Sequence, residues 1–115
     1  MKLVIDRRKW KRGVGESGLL MPKDSEYPGQ MCCLGFLARE TGHSRKSISG
    51  VATPEDLCKP KKFISEHLLK ANAHNNRRCI KLMSVNDSEQ ISDTKRESTL
   101  TKLFKKIGVN VKFTH

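Results

Sequence analysis

The most constraining stretch of this chain is Met31-Cys32-Cys33-Leu34-Gly35-Phe36-Leu37-Ala38, followed by Arg39-Glu40-Thr41-Gly42. Tyr27-Pro28-Gly29 ahead of it reads as a turn, and Gly42 behind it reads as a helix stop. The apolar residues are nearly continuous, so a helix built from them is apolar on every side rather than along one stripe. Such a helix belongs inside a core, with other elements laid around it. Gly35 in its middle costs up to about 1 kcal/mol relative to alanine. Close approach by a second backbone segment is therefore expected at that point.

The remaining elements follow from pattern and punctuation. Lys2–Asp6 reads as a short strand, with Leu3 and Ile5 on one face and Val4 on the other. Gly13, Gly15 and Gly18 spell G-x-G-x-x-G, but a basic run precedes them and Leu19-Leu20-Met21-Pro22 follows. A dinucleotide fingerprint needs a strand before and a helix after, so a flexible loop is expected and no cofactor is assigned. Thr53-Pro54-Glu55-Asp56 is a helix start. Phe63, Ile64, Leu68 and Ala71 fit helical spacing in a further short helix, which Asn72 to Asn76 end.

Arg77–Val85 alternates in a way that predicts a strand, with Ile80 and Leu82 facing one way and Cys79, Met83 and Val85 the other. Asn86-Asp87-Ser88 is turn chemistry. Ser92-Asp93 caps an amphipathic helix carrying Leu100, Leu103, Phe104 and Ile107, with Lys102, Lys105 and Lys106 suited to its C-terminal dipole and Gly108 closing it. Val109, Val111 and Phe113 then alternate with polar residues as a half-buried strand.

A chain of 115 residues is expected to form a single domain spanning residues 1–115. The fold class predicted is α+β, with about three short strands, a buried central helix and further helices on one face of the sheet. The last two strands pair in parallel across a crossover, or pair antiparallel with the first; the pattern leaves both open. No apolar run reaches the roughly 18 residues of a membrane span. The opening run Leu3-Val4-Ile5 is cut short by Asp6-Arg7-Arg8, well below a secretory h-region. A cytoplasmic protein without membrane contact is expected. Its four cysteines, Cys32, Cys33, Cys58 and Cys79, are then free thiols, and no metal-ligand spacing joins them.

The Met31–Ala38 element, preceded by an Ile5-Asp6-Arg7 and Trp10-Lys11-Arg12-Gly13 opening, resembles small uncharacterised proteins encoded by tailed phages and prophages. Val85-Asn86-Asp87, Arg96-Glu97, Leu103-Phe104 and Gly108 extend the likeness over most of the chain. The resemblance implies a setting, a phage accessory protein in the cytoplasm of a host bacterium. It implies no activity.

Net charge is +11, from 23 basic against 12 acidic residues, which draws a protein toward anionic partners. Two segments hold the excess, residues 1–12 at about +5 and residues 58–81 at about +6. The candidate nucleic-acid-binding residues are Arg7, Arg8, Lys9, Trp10, Lys11, Arg12, Lys61, Lys62, Arg77, Arg78 and Lys81. If the Arg77–Lys81 strand neighbours the first strand, the two clusters fuse into one surface. Trp10 either stacks on an unpaired base or packs in the core.

The leading expectation is a non-enzymatic module that binds DNA or RNA through a basic face. The alternative is a phage effector that binds and inhibits an acidic host protein, such as a defence or transcription factor. A third is a small metal-dependent nuclease using His67, His74 or Asp87, although their spacing fits no catalytic pattern. No metal site and no catalytic residue is assigned.

Overall fold

The computed structural model describes residues 1–15, 18–69 and 73–115; of residues 73–76 the backbone alone is described. Its elements are β1 (Lys2–Asp6), α1 (Cys33–Glu40), α2 (Arg45–Ile48), a 3-10 turn (Pro54–Asp56), α3 (Lys62–Ile64) running into a π turn (Ser65–Leu69), α4 (Ala73–Asp87), α5 (Asp93–Lys105) and β2 (Asn110–Thr114). The architecture is mixed α+β. Among the described residues the sheet has two strands, β1 and β2, which pair in parallel with Leu3 opposite Val111 and Ile5 opposite Phe113.

The expected third strand, Arg77–Val85, lies within α4. In the helix, Cys79, Leu82 and Asn86 share a buried face, while Ile80 is 62% exposed. A two-residue alternation had set Ile80 and Leu82 side by side; the helical period separates them. The three-strand expectation is corrected with it. Ala73–Asn76, read as the end of the preceding helix, belong to the backbone of α4, and Ala71 and Asn72 lie outside the described residues.

The apolar segment behaves as its composition demands. Met31 to Ala38 are all buried. Two extended segments flank it. Lys11 N–H donates to the Met31 carbonyl at 2.8 Å, Met31 N–H donates to the Lys9 carbonyl at 2.9 Å, and Cys32 N–H donates to the Gly18 carbonyl at 3.1 Å. Gly35 is where the second backbone comes close: a Cβ there would overlap the Leu19 carbonyl.

On the sheet, Leu3 and Ile5 point into the core while Val4 is 53% exposed. One face is therefore covered and the other open. α5 is capped by the Ser92 hydroxyl, which accepts from Lys95 N–H at 3.2 Å. It buries Leu100 and Phe104, and Gly108 with φ +78° turns the chain into β2.

His43 ties the end of α1 to the segment before α3. Its Nε2 accepts from Lys61 N–H at 3.0 Å, and its backbone N–H donates to the Ala38 carbonyl at 3.0 Å. Burial, helped by the Lys61 charge, lowers the pKa of the ring from 6.5. The native state therefore keeps the ring neutral at a pH where the unfolded chain has taken up a proton.

Two outcomes are expected. Gly35→Ala should lose at least about 2 kcal/mol, a melting-point drop of roughly 10 °C, in a thermal melt. Stability measured in urea should fall as pH drops below about 6.5, because the unfolded state binds more protons there. The fall should level off once the native ring also titrates, and His43→Gln should flatten this part of the profile.

Candidate functional site

The N-terminal cations are largely consumed within the fold. The Arg7 guanidinium donates to both carboxylate oxygens of Glu97 on α5, at 2.8 and 2.7 Å. Arg8 donates to Asp6 through its backbone N–H at 2.9 Å and through its guanidinium at 3.2 and 3.1 Å. These bonds hold the Asp6 carboxyl down at about 2. Arg12 lies 4.6 Å above the Trp10 ring and 3.4 Å from Asp93. Lys11 is 1% exposed, with Nζ 5.7 Å from the centre of the Tyr27 ring.

Trp10 is 2% exposed. Its Nε1 donates to Asn86 Oδ1 at 2.8 Å, and its ring lies 5.1 Å from that of Phe113. It is a core residue, and its proposed stacking on a base is corrected accordingly. Of the six candidates between Arg7 and Arg12, Lys9 is left as an exposed cation without an ion pair among the described residues.

The second cluster divides. Lys61 and Lys62 are exposed beside the end of α1, and Lys62 Nζ lies 3.9 Å from Glu66. Arg77, Arg78 and Lys81 stand on α4. Because that segment is helical, they do not join the N-terminal cluster through a sheet. They instead meet Lys106, which follows α5, around a groove of about 270 Å³ whose walls also include Leu82 and Leu103. None of these four cations has a carboxylate partner among the described residues.

The groove is positioned by a polar junction at the other end of the same two helices. Asn86, fully buried near the end of α4, accepts from Trp10 Nε1 and from Cys33 N–H at 2.9 Å, and donates to the Lys11 carbonyl at 3.0 Å and to Asp87 Oδ1 at 2.9 Å. The Arg96 guanidinium, on α5, donates to the carbonyls of Val85, Asn86 and Ser88 at 2.7, 3.2 and 2.9 Å, and to that of Ile91 at 3.1 Å. Carbonyls at a helix C-terminus lack partners within the helix. Arg96 supplies them from α5, which sets the two helices against one another.

Chemically the groove offers positive charge and aliphatic contact. Among the described residues its lining includes no acid, imidazole, thiol or hydroxyl. Sequence reasoning missed Lys106, which it had assigned to the helix dipole. The available signal was its i, i+3 relation to Leu103, which places the pair on one side of α5.

The other candidates lie apart from this site. The half-buried His67 ring sits 4.3 Å from that of Phe63, and the side chains of His74, Asn75 and Asn76 lie outside the described residues. Among the described residues no cluster of His, Cys, Asp and Glu is arranged to hold a metal ion, and no helix is long and apolar enough to cross a membrane. All four cysteines are free thiols. Burial pushes Cys32 and Cys79 up to about 11 and Cys33 well above 9, which suppresses the nucleophilic thiolate.

Comparison with known proteins finds no matching family model, no matching curated protein and no matching solved structure.

Only Cys58 is exposed among the four. A chromogenic disulfide reagent at about pH 8 should therefore titrate one thiol quickly in the folded protein and the other three only on unfolding. Rapid reaction of two or more would contradict the burial described.

Proposed function

We propose that this protein binds nucleic acid, without catalysis and with little sequence preference, through the groove between α4 and α5. The observation that carries the proposal is the gathering of Arg77, Arg78, Lys81 and Lys106 around one concavity, with no ion pair to a carboxylate among the described residues. Four cations held together without counter-charges repel one another. An anionic ligand relieves that repulsion and releases the ions condensed on its own phosphates. The likeness to phage and prophage proteins adds a setting to the proposal, an accessory protein acting in the cytoplasm of the host.

The site differs from the broad basic face suggested by charge along the chain. Arg7, Arg8 and Arg12 are committed to Glu97, Asp6 and Asp93, and Lys11 is buried. These residues are engaged within the chain, whereas the cations of the groove face its open concavity.

Binding to a short oligonucleotide should weaken steeply with salt. The slope of log K against log salt should be roughly −3 to −4 if four phosphates are neutralised. Lys81→Gln with Lys106→Gln should reduce that slope by about 1 for each cation, while stability stays within about 0.5 kcal/mol, as expected of exposed positions. Lys9→Gln should leave the slope unchanged. Fluorescence anisotropy over a salt series reads all three. No retention of DNA or RNA at low salt would remove the proposal and leave an acidic host protein as the partner to seek.

A further inference from the structure

We infer that the α4–α5 groove takes one unpaired nucleotide of a single strand, its base or sugar resting on the leucines and its phosphates on the rim. The inference rests on the nucleic-acid reading above and goes beyond it, since charge alone does not distinguish single strands from duplexes. It comes from the shape and composition of the concavity. At about 270 Å³ the groove is recessed and small, just below the usual range for pockets that hold small organic ligands, roughly 300–1,000 Å³. It accommodates one compact unit rather than the flank of a rod.

The lining divides the same way. Leu82 is buried and Leu103 partly buried against the core, whereas Arg77, Lys81 and Lys106 are exposed and Arg78 is half-buried. The walls therefore grade from aliphatic inside to cationic outside. A nucleotide grades likewise, from a flat, weakly polar base to charged phosphate. A phosphate alone would leave the exposed part of Leu103 uncovered.

In a duplex the bases are stacked inside and the phosphates form the ridges. A base reaches a recessed apolar floor only after it is turned out of the stack, which costs energy that a single strand has already spent. The leucines carry no donors or acceptors, so they accept any base, in keeping with the tolerance typical of non-specific single-strand binders. The contact is aliphatic because Trp10 is held in the core.

Three probes of equal length separate the possibilities: a labelled twelve-residue deoxythymidine strand, the same backbone with abasic sugars, and a mixed-sequence duplex. Anisotropy titrations at one moderate salt concentration compare them. The thymidine strand should bind at least tenfold more tightly than either of the others. The thymidine and abasic strands should share one salt slope, because their phosphates are the same. Leu103→Ser should shrink the gap between the thymidine and abasic strands, and Leu103→Met should preserve it.

Equal affinity for all three probes, each with steep salt dependence, would overturn the single-nucleotide inference and leave the nucleic-acid reading standing. A gap undiminished in a folded Leu103→Ser protein would also overturn it. Should that variant fail to fold, the comparison of the three probes with the unaltered protein decides the matter. No binding of any probe at low salt would overturn both readings.

Discussion

One buried amide joins parts of this molecule that lie far apart in the chain. Asn86 uses both lone pairs of Oδ1 and both hydrogens of Nδ2, reaching Trp10, the first turn of α1, the Lys11 carbonyl and Asp87. Each bond contributes modestly to net stability, about 1 kcal/mol. Each partner left unpaired in the interior would cost about 1–3 kcal/mol. A fully satisfied polar cluster of this sort fixes geometry, because few other arrangements satisfy every member. Its backbone carbonyl is used as well, accepting from Gly13 N–H at 2.9 Å and from Arg96. Trp10–Gly13, Cys32-Cys33, Val85–Asp87 and Arg96-Glu97 meet at or beside this junction.

The junction explains where the charge goes. Trp10 is held inward by its bond to Asn86, and Lys11 is buried beside it while Lys9 stays exposed. Arg12 lies across the indole face and meets Asp93, and Arg7 closes on Glu97. The N-terminal basic run thus serves as a set of tethers between β1 and α5. Arg96 and Asn86 fix α4 against α5 at one end. Farther along the same pair of helices, Arg77, Arg78, Lys81 and Lys106 are held around the groove. The cations named here thus divide between contacts inside the fold and the walls of the cleft.

Much of the fold was legible in the sequence because it rests on local signals. The continuous apolar run gave the buried α1, the alternation of Leu3, Val4 and Ile5 gave β1, and the Ser92 cap and Gly108 bounded α5. Gly35 marked the close approach of Leu19 because glycine inside a helix is costly without such a reason. The segment Arg77–Val85 was misread because short apolar runs fit two periods. What decides its period is the burial of a polar residue, Asn86, and polar residues beside Asp and Ser ordinarily signal a turn. The site was half legible. Three of its four cations were named, but their grouping with Lys106 depends on helix packing, which no local pattern encodes. The ion pairs that engage Arg7 and Arg12 join residues about eighty to ninety positions apart and were equally hidden.

The central claim is that the cations of this chain have two separate uses, structural near its start and ligand-facing in the cleft between α4 and α5. Mapping amide chemical-shift changes while a short single-stranded oligonucleotide is added tests it most directly. The account expects the largest changes at Arg77–Leu82 and Leu103–Lys106, with Arg7–Arg12 and the Trp10 indole signal nearly still. Changes concentrated at Arg7–Arg12, with the cleft unmoved, would contradict it.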